Sequence, residues 1–189
     1  GVAFFKKGSI KSSINYYLKA IELNPQDDKI HNNLAIAYSK LGNLEAAVSI
    51  YLKALKINSK SYSTLFNLGK IYRQKGELEK ALDTFEKILR LKNINSTDLV
   101  FNEIGITLQK KEDFHSAIKA YLKAINLNKN LIQSYNNLGY AQFELEDFDS
   151  AVSSFSKAIK LNPNNAIARK NLSKIYLLKG NYKEGFKNY

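Results

Sequence analysis

Apolar residues along this chain fall in blocks of about a dozen at helical spacing. In "NLAIAYSKLGNLEAAVSIYLKAL" the first block carries Leu34, Ala35 and Tyr38 on one face. After the turn "LGN" a second block carries Ala47, Val48, Tyr51 and Ala54. Polar residues fill the opposite faces, and the layout returns down the chain with turns such as "KGE" and "KGN" between blocks. Each unit reads as a pair of helices, in which small residues allow close approach and aromatics fill the remaining space. No strand is predicted.

The pairs repeat with a fixed period. A small residue recurs at Gly1, Ala35, Gly69, Gly105, Gly139 and Ser173, in steps of 34, 34, 36, 34 and 34. Two other columns keep those steps: Ser13, Ala47, Ala81, Ala117, Ala151 and Gly185, then Tyr17, Tyr51, Phe85, Tyr121, Phe155 and Tyr189. Between units, Pro25 and Pro163 stand where a helix must stop. Ser59, Asn93 and Lys129 occupy that column elsewhere and are expected to weaken the stop without removing it. The longer step comes from two extra residues in "NINSTD", where Thr97 or Asp98 is expected to cap the next helix and the stacking to be perturbed locally.

These columns resemble the tetratricopeptide repeat family, whose period is ~34 residues and whose signature places Leu-Gly, Tyr, Ala, Phe and Pro at fixed offsets. "NLAIAYSKLGNLEAAVSIYLKAL" and "NLGYAQFELEDFDSAVSSFSKAIKLNPNN" carry that signature almost whole, and the resemblance covers the entire chain. It implies an all-α fold, a right-handed superhelical solenoid of antiparallel helix pairs. On this reading residues 1–189 form one solenoid: a partial repeat over 1–27, repeats over 28–61, 62–97 (with the insertion), 98–131 and 132–165, and a partial repeat over 166–189. Both terminal repeats read as unfinished, so the natural chain is expected to continue or to be capped by a partner, and self-association through these ends follows as an expectation.

In this family the first helices line a concave side where extended peptides bind, which directs attention to one stripe. Two residues before the small column, roughly 200° around the helix, stand Asn33, Asn67, Glu103, Asn137 and Asn171. Asparagine is a mediocre helix former, so its recurrence calls for a reason. One reason is a ladder of amides offering donor and acceptor to a peptide backbone, similar to the groove of the O-linked N-acetylglucosamine transferase repeats. The other is bonding between neighbouring helices. Along the same stripe lie Lys29, Lys40, Lys70, Arg73, Lys110, Lys170 and Lys174, interrupted by Glu103 and Glu144, with Phe66, Tyr140 and Phe143 for apolar contact. A mostly basic groove favours carboxylate or phosphate on the partner, hence a protein or peptide of acidic character. The clamp for chaperone tails found in some family members is not matched by any three consecutive units.

Composition narrows the function classes. With 44% hydrophobic residues the chain should fold rather than remain disordered. The formal charge of +12 would attract nucleic acid or anionic lipid as well as acidic peptides, but the aromatics sit at packing columns and leave few rings for base stacking, which disfavours nucleic acid. Lysine accompanies abundant Asn, Ile and Tyr, as on the drifting surface of a protein from an AT-rich, bacterial type of genome. Cysteine is absent, which removes disulfides, thiolate metal sites and cysteine nucleophiles. No apolar run approaches the ~18 residues of a membrane span, and Gly1–Lys7 lacks a signal-peptide layout, so a cytoplasmic location without membrane insertion is expected. Methionine is missing even at the first position, as in a trimmed piece of a longer chain.

Catalysis finds no constellation. His31 and His115 lie in different units; His31 reads as a partly buried packing residue and His115 as an exposed helix start. Glu144, Glu146, Asp147 and Asp149 surround a turn and point several ways, whereas a metal site needs converging ligands. The expectation is a non-enzymatic interaction scaffold with no catalytic residue, metal or cofactor. A second reading rests on "GNYKEGFKNY", which resembles the closing repeat of bacterial proteins whose repeats precede a glycosyltransferase-type domain, with Gly185 in place of the usual Ala. There the repeats would recruit substrates for a catalytic domain absent from this chain.

Overall fold

The structure is a computed structural model that describes residues 10–92, 94 and 96–187. The column members Gly1, Asn93 and Tyr189 lie outside the described residues. Among those described there are eleven helices and no strand. The chain divides into two compact units, Gly1–Ile94 and Asn95–Tyr189, with the boundary inside the "NINSTD" insertion. The first unit contains α1 (Ile10–Leu23), α2 (Asp28–Lys40), α3 (Leu44–Ile57), α4 (Tyr62–Lys75) and α5 (Leu78–Leu89). The second contains α6 (Thr97–Lys110), α7 (Phe114–Leu127), α8 (Ile132–Glu144), α9 (Phe148–Leu161), α10 (Ala166–Leu178) and α11 (Tyr182–Lys187). In each unit, helices adjacent in sequence pack on each other, giving the all-α stack of helix pairs that the repeat columns predict.

Local chemistry marks the helix ends. Side-chain oxygens of Asn43, Asp113, Asp147 and Asn165 accept from the backbone N–H three residues on, at 3.1, 3.0, 3.2 and 3.2 Å. Asp27 Oδ1 takes both Lys29 N–H and Ile30 N–H at 2.8 and 3.2 Å. At the turn within each pair the chain enters the left-handed region, at Gly42 (φ 80°), Gly76 (φ 84°) and Gly180 (φ 72°). Glu112 (φ 64°) and Glu146 (φ 59°) hold the same place in the intervening repeats, where a Cβ is strained.

The stop between repeats persists where Pro is replaced. Helices α3, α7 and α9 end at the same column whether or not Pro follows, because Asn58, Asn128 and Asn162 terminate them in extended conformation. Each of these asparagines then accepts from the N–H two residues on, at 3.2, 3.1 and 3.0 Å. Lys92 stands in that column after α5, and α5 ends early at Leu89. Nor does Asp98 cap its own helix. Ser96 occupies the cap position of α6 without a side-chain cap bond, and Asp98 Oδ2 instead accepts from Asn128 Nδ2 at 2.9 Å. Asp28 does the same for Asn58 at 3.2 Å, so this pair ties the start of a first helix to the end of its own second helix.

The core is built where the small column meets the aromatic column. Ala35, Ala47 and Tyr51 pack with Leu68 and Ile71 of the next repeat, and Ala151 and Phe155 pack with Leu172 and Ile175. A Cβ at Gly69 would stand 2.6 Å from the Phe85 ring, at Gly105 2.4 Å from Tyr121, and at Gly139 2.9 Å from Phe155. These rings are fully buried. Gly105→Ala should therefore lose about 1–3 kcal/mol of stability through overpacking, despite alanine's better helix propensity, as read by urea unfolding of the whole chain. Glu146→Gly should gain about 1 kcal/mol by relieving the left-handed strain in the same assay.

Candidate functional site

Within each unit, the first helices of successive repeats approach one another, α2 with α4 in one and α6 with α8 and α8 with α10 in the other, whereas the second helices come less close. The first helices therefore line the inner side of each stack. Their contact is made by asparagine. Asn67 Nδ2 donates to Asn32 Oδ1 at 3.3 Å, and Asn137 Nδ2 donates to Asn102 Oδ1 at 3.2 Å. Asn102, only 5% exposed, also accepts from Ser134 Oγ at 2.9 Å. Asn136 and Asn165 exchange bonds at 3.5 and 3.0 Å. In the two "NN" pairs the amides take different roles: Asn32 is buried and accepts from the next repeat, Asn136 is half-buried and pairs with Asn165, and half-buried Asn137 reaches back to Asn102 of the previous repeat.

In the second unit this inner side forms an open hollow of about 510 Å³. Its apolar lining is Leu99, Ile106, Ile167 and the ring of Tyr140, and its amides are Gln109, Gln133, Asn137 and Asn171, with Asn102 and Asn136 beneath. Among the described residues Glu103 supplies its one carboxylate, and no lysine or arginine lines it. Gln109 is held from behind: Tyr121 donates its hydroxyl to Gln109 Oε1 at 3.0 Å. An adjoining hollow of about 440 Å³ shares Ile106, Gln109 and Tyr140 and adds Lys110, Glu112 and Glu144. Tyr140 donates to the Glu144 carboxylate, and this bond, with burial, holds the phenol above its ordinary value of 10.0.

The expected site residues are only partly brought together. Asn137, Asn171 and Tyr140 line the hollow and Lys110 lines its neighbour, but Lys170 and Lys174 line neither. Lys174 Nζ lies 4.3 Å from the centroid of the Phe143 ring, and Lys70 Nζ 5.8 Å from that of Phe66. Both rings are engaged in packing, Phe143 with Phe148 and Phe66 with Tyr62 and Phe85. In the first unit Asn33 is half-buried on α2, near exposed Lys29 and Lys40 on the same helix, while Asn67, Lys70 and half-buried Arg73 belong to α4. Sequence reasoning missed Gln109 and Gln133. Gln133 carried a signal, one turn before Asn137 on the inner stripe, whereas Gln109, six residues after Glu103, carried none.

The residues weighed for chemistry have structural partners. His31 is 7% exposed, with Nδ1 2.9 Å from the Asp27 carbonyl oxygen, and His115 is exposed. Asp147 caps α9, Asp149 pairs with Lys179 at 2.5 Å, and Glu144 accepts from Tyr140. Among the described residues no group of three His, Cys, Asp or Glu is placed to hold a metal, and no helix is long and apolar enough to cross a membrane.

Family models for the tetratricopeptide repeat match residues 26–94, 132–165 and 154–186, and a model of the same repeat matches 1–42 and 105–145. The chain belongs to the tetratricopeptide repeat family. Among solved structures it is similar to PilW, a type IV pilus biogenesis factor, with TM-score 0.90, 15% identity, and coverage of 99% of this chain and 86% of that one. PilF of Pseudomonas aeruginosa matches with TM-score 0.87 and 16% identity over 100% and 85%. YrrB, described as a protein of this family with an unusual peptide-binding site, matches with TM-score 0.67 and 29% identity over 91% and 88%. Among curated protein sequences none matches the chain.

Because Asn102 satisfies two partners from the next repeat, Asn102→Ala should cost about 1–3 kcal/mol by leaving the buried Ser134 hydroxyl without its acceptor. Asn171→Ala, at the rim of the hollow, should stay within about 0.5 kcal/mol of the parent. Chemical denaturation of the two variants measures the difference.

Proposed function

We propose that the chain is a protein-interaction module that holds an extended peptide segment of a partner on the inner side of its first helices. What carries this reading is the hollow of the second unit, where α6, α8 and α10 together present amides beside aliphatic and aromatic surface. An extended chain needs donors and acceptors at intervals for its backbone and apolar pockets for alternate side chains. The hollow offers both. The peptide-binding site of YrrB supports the same reading. Membership of a family of interaction scaffolds supports a role in binding rather than catalysis.

The geometry refines which asparagines test the ladder. Asn67 and Asn137 each brace a neighbouring repeat, so removing them disturbs stacking together with any ligand contact. Asn33 and Asn171 are the cleaner pair. The double variant Asn33→Ala/Asn171→Ala should keep the helical circular dichroism of the parent and weaken binding of peptides selected from a random library by about tenfold. Unchanged affinity would remove the ladder. A parent that retains no peptide would remove the reading as a whole.

A further inference from the structure

We infer that the second unit's inner face takes a peptide with a cationic side chain, lysine or arginine, seated at Glu103 and flanked by aliphatic residues. The inference rests on the groove-binding reading above and deepens it. Among the described residues, the acidic and basic side chains lining the two adjoining hollows are Glu103, Glu112 and Glu144 against Lys110 alone. This excess of carboxylate stands out on a chain of formal charge +12. Glu103 is half-buried, where charges are screened less than at an open surface. It occupies the column that holds asparagine in the other four repeats, so at this one step the amide is replaced by an acceptor with full negative charge.

The neighbours suit a basic ligand. Leu99 and Ile106 lie on α6 with Glu103 and Ile167 lies on α10, giving apolar surface for the methylene stem of lysine or arginine and for flanking aliphatic side chains. Asn137 and Asn171 follow at the same column of α8 and α10. Packed helices stand about 10 Å apart and an extended chain advances about 3.3 Å per residue, so each repeat spans about three ligand residues. A peptide of about seven residues therefore reaches from Glu103 to Asn171, with its charge at one end of the amide row.

The test uses the full chain and acetylated, amidated peptides of about nine residues. One position is fixed as lysine, arginine, glutamate or norleucine, the others are randomised among Leu, Ile, Ala, Ser and Thr, and binding is read by fluorescence anisotropy. The lysine and arginine pools should bind about tenfold tighter than the glutamate pool. Glu103→Gln should erase that preference while the norleucine pool binds as before, and Glu103→Lys should reverse it. Equal binding of all pools, preference for glutamate, or a preference for cations that survives in Glu103→Gln would each overturn the inference and leave the groove reading standing. No binding by any pool would overturn both.

Discussion

Four helix pairs close on a contact between a small residue of the first helix and an aromatic ring of the second. The Tyr121 ring lies where a Cβ on Gly105 would need to be, and Phe85 and Phe155 do the same at Gly69 and Gly139. The close approach is what allows a thin two-helix layer to bury a ring completely, and a lone pair of helices has no other core. Stacking then completes the burial, as Leu68 and Ile71 of one repeat cover Ala35 and Tyr51 of the repeat before. Ala35 shows the other solution at this column: a methyl is accommodated where the paired ring is Tyr51.

That contact also positions the inner face. Once each second helix is seated on its first, the first helices of neighbouring repeats are left facing each other, and buried amides set their register. An amide pair has a donor and an acceptor in fixed places, so it specifies register where an aliphatic pair would tolerate sliding. The core and the site are linked by single atoms. The hydroxyl of Tyr121 is buried on the far side of the pair and bonds Gln109 Oε1, so a packing ring orients an amide that lines the hollow. In the next repeat Ser154 donates its hydroxyl to Gln142 Oε1 at 2.6 Å, a bond between the two helices of one pair that reaches neither hollow.

The helices, their pairing and the small and aromatic columns were legible in the sequence because each is fixed by spacing, and spacing survives without coordinates. The inner stripe was legible for the same reason, and Asn137, Asn171 and Tyr140 fall on the hollow. Partners were not. Asp98 faces both its own helix start and Asn128, 30 residues on, and only packing decides that it bonds the latter. Pro25 and Pro163 drew attention as helix stops, while Asn58 and Asn128 ended helices with no proline after them. The lysines were the least legible. A long, flexible side chain reaches several surroundings from one backbone position, and Lys70 and Lys174 lie over rings on their own face.

Net charge is for that reason a poor guide to what the inner face accepts. Lys19, Lys53, Lys87, Lys123 and Lys157 form one exposed column on the second helices and contribute heavily to the +12. Charges are screened over about 8 Å at physiological salt, whereas two packed helix layers are thicker than that, so a lysine on the outer helix contributes little to the field at the inner one. What a bound chain experiences is set by the few ionisable groups beside it. In the second unit those are mostly carboxylates; in the first, the inner residues Lys29, Lys40, Lys70 and Arg73 are all cationic. The charge summed over the chain is therefore a weaker description of either inner face than the few ionisable groups that lie on it.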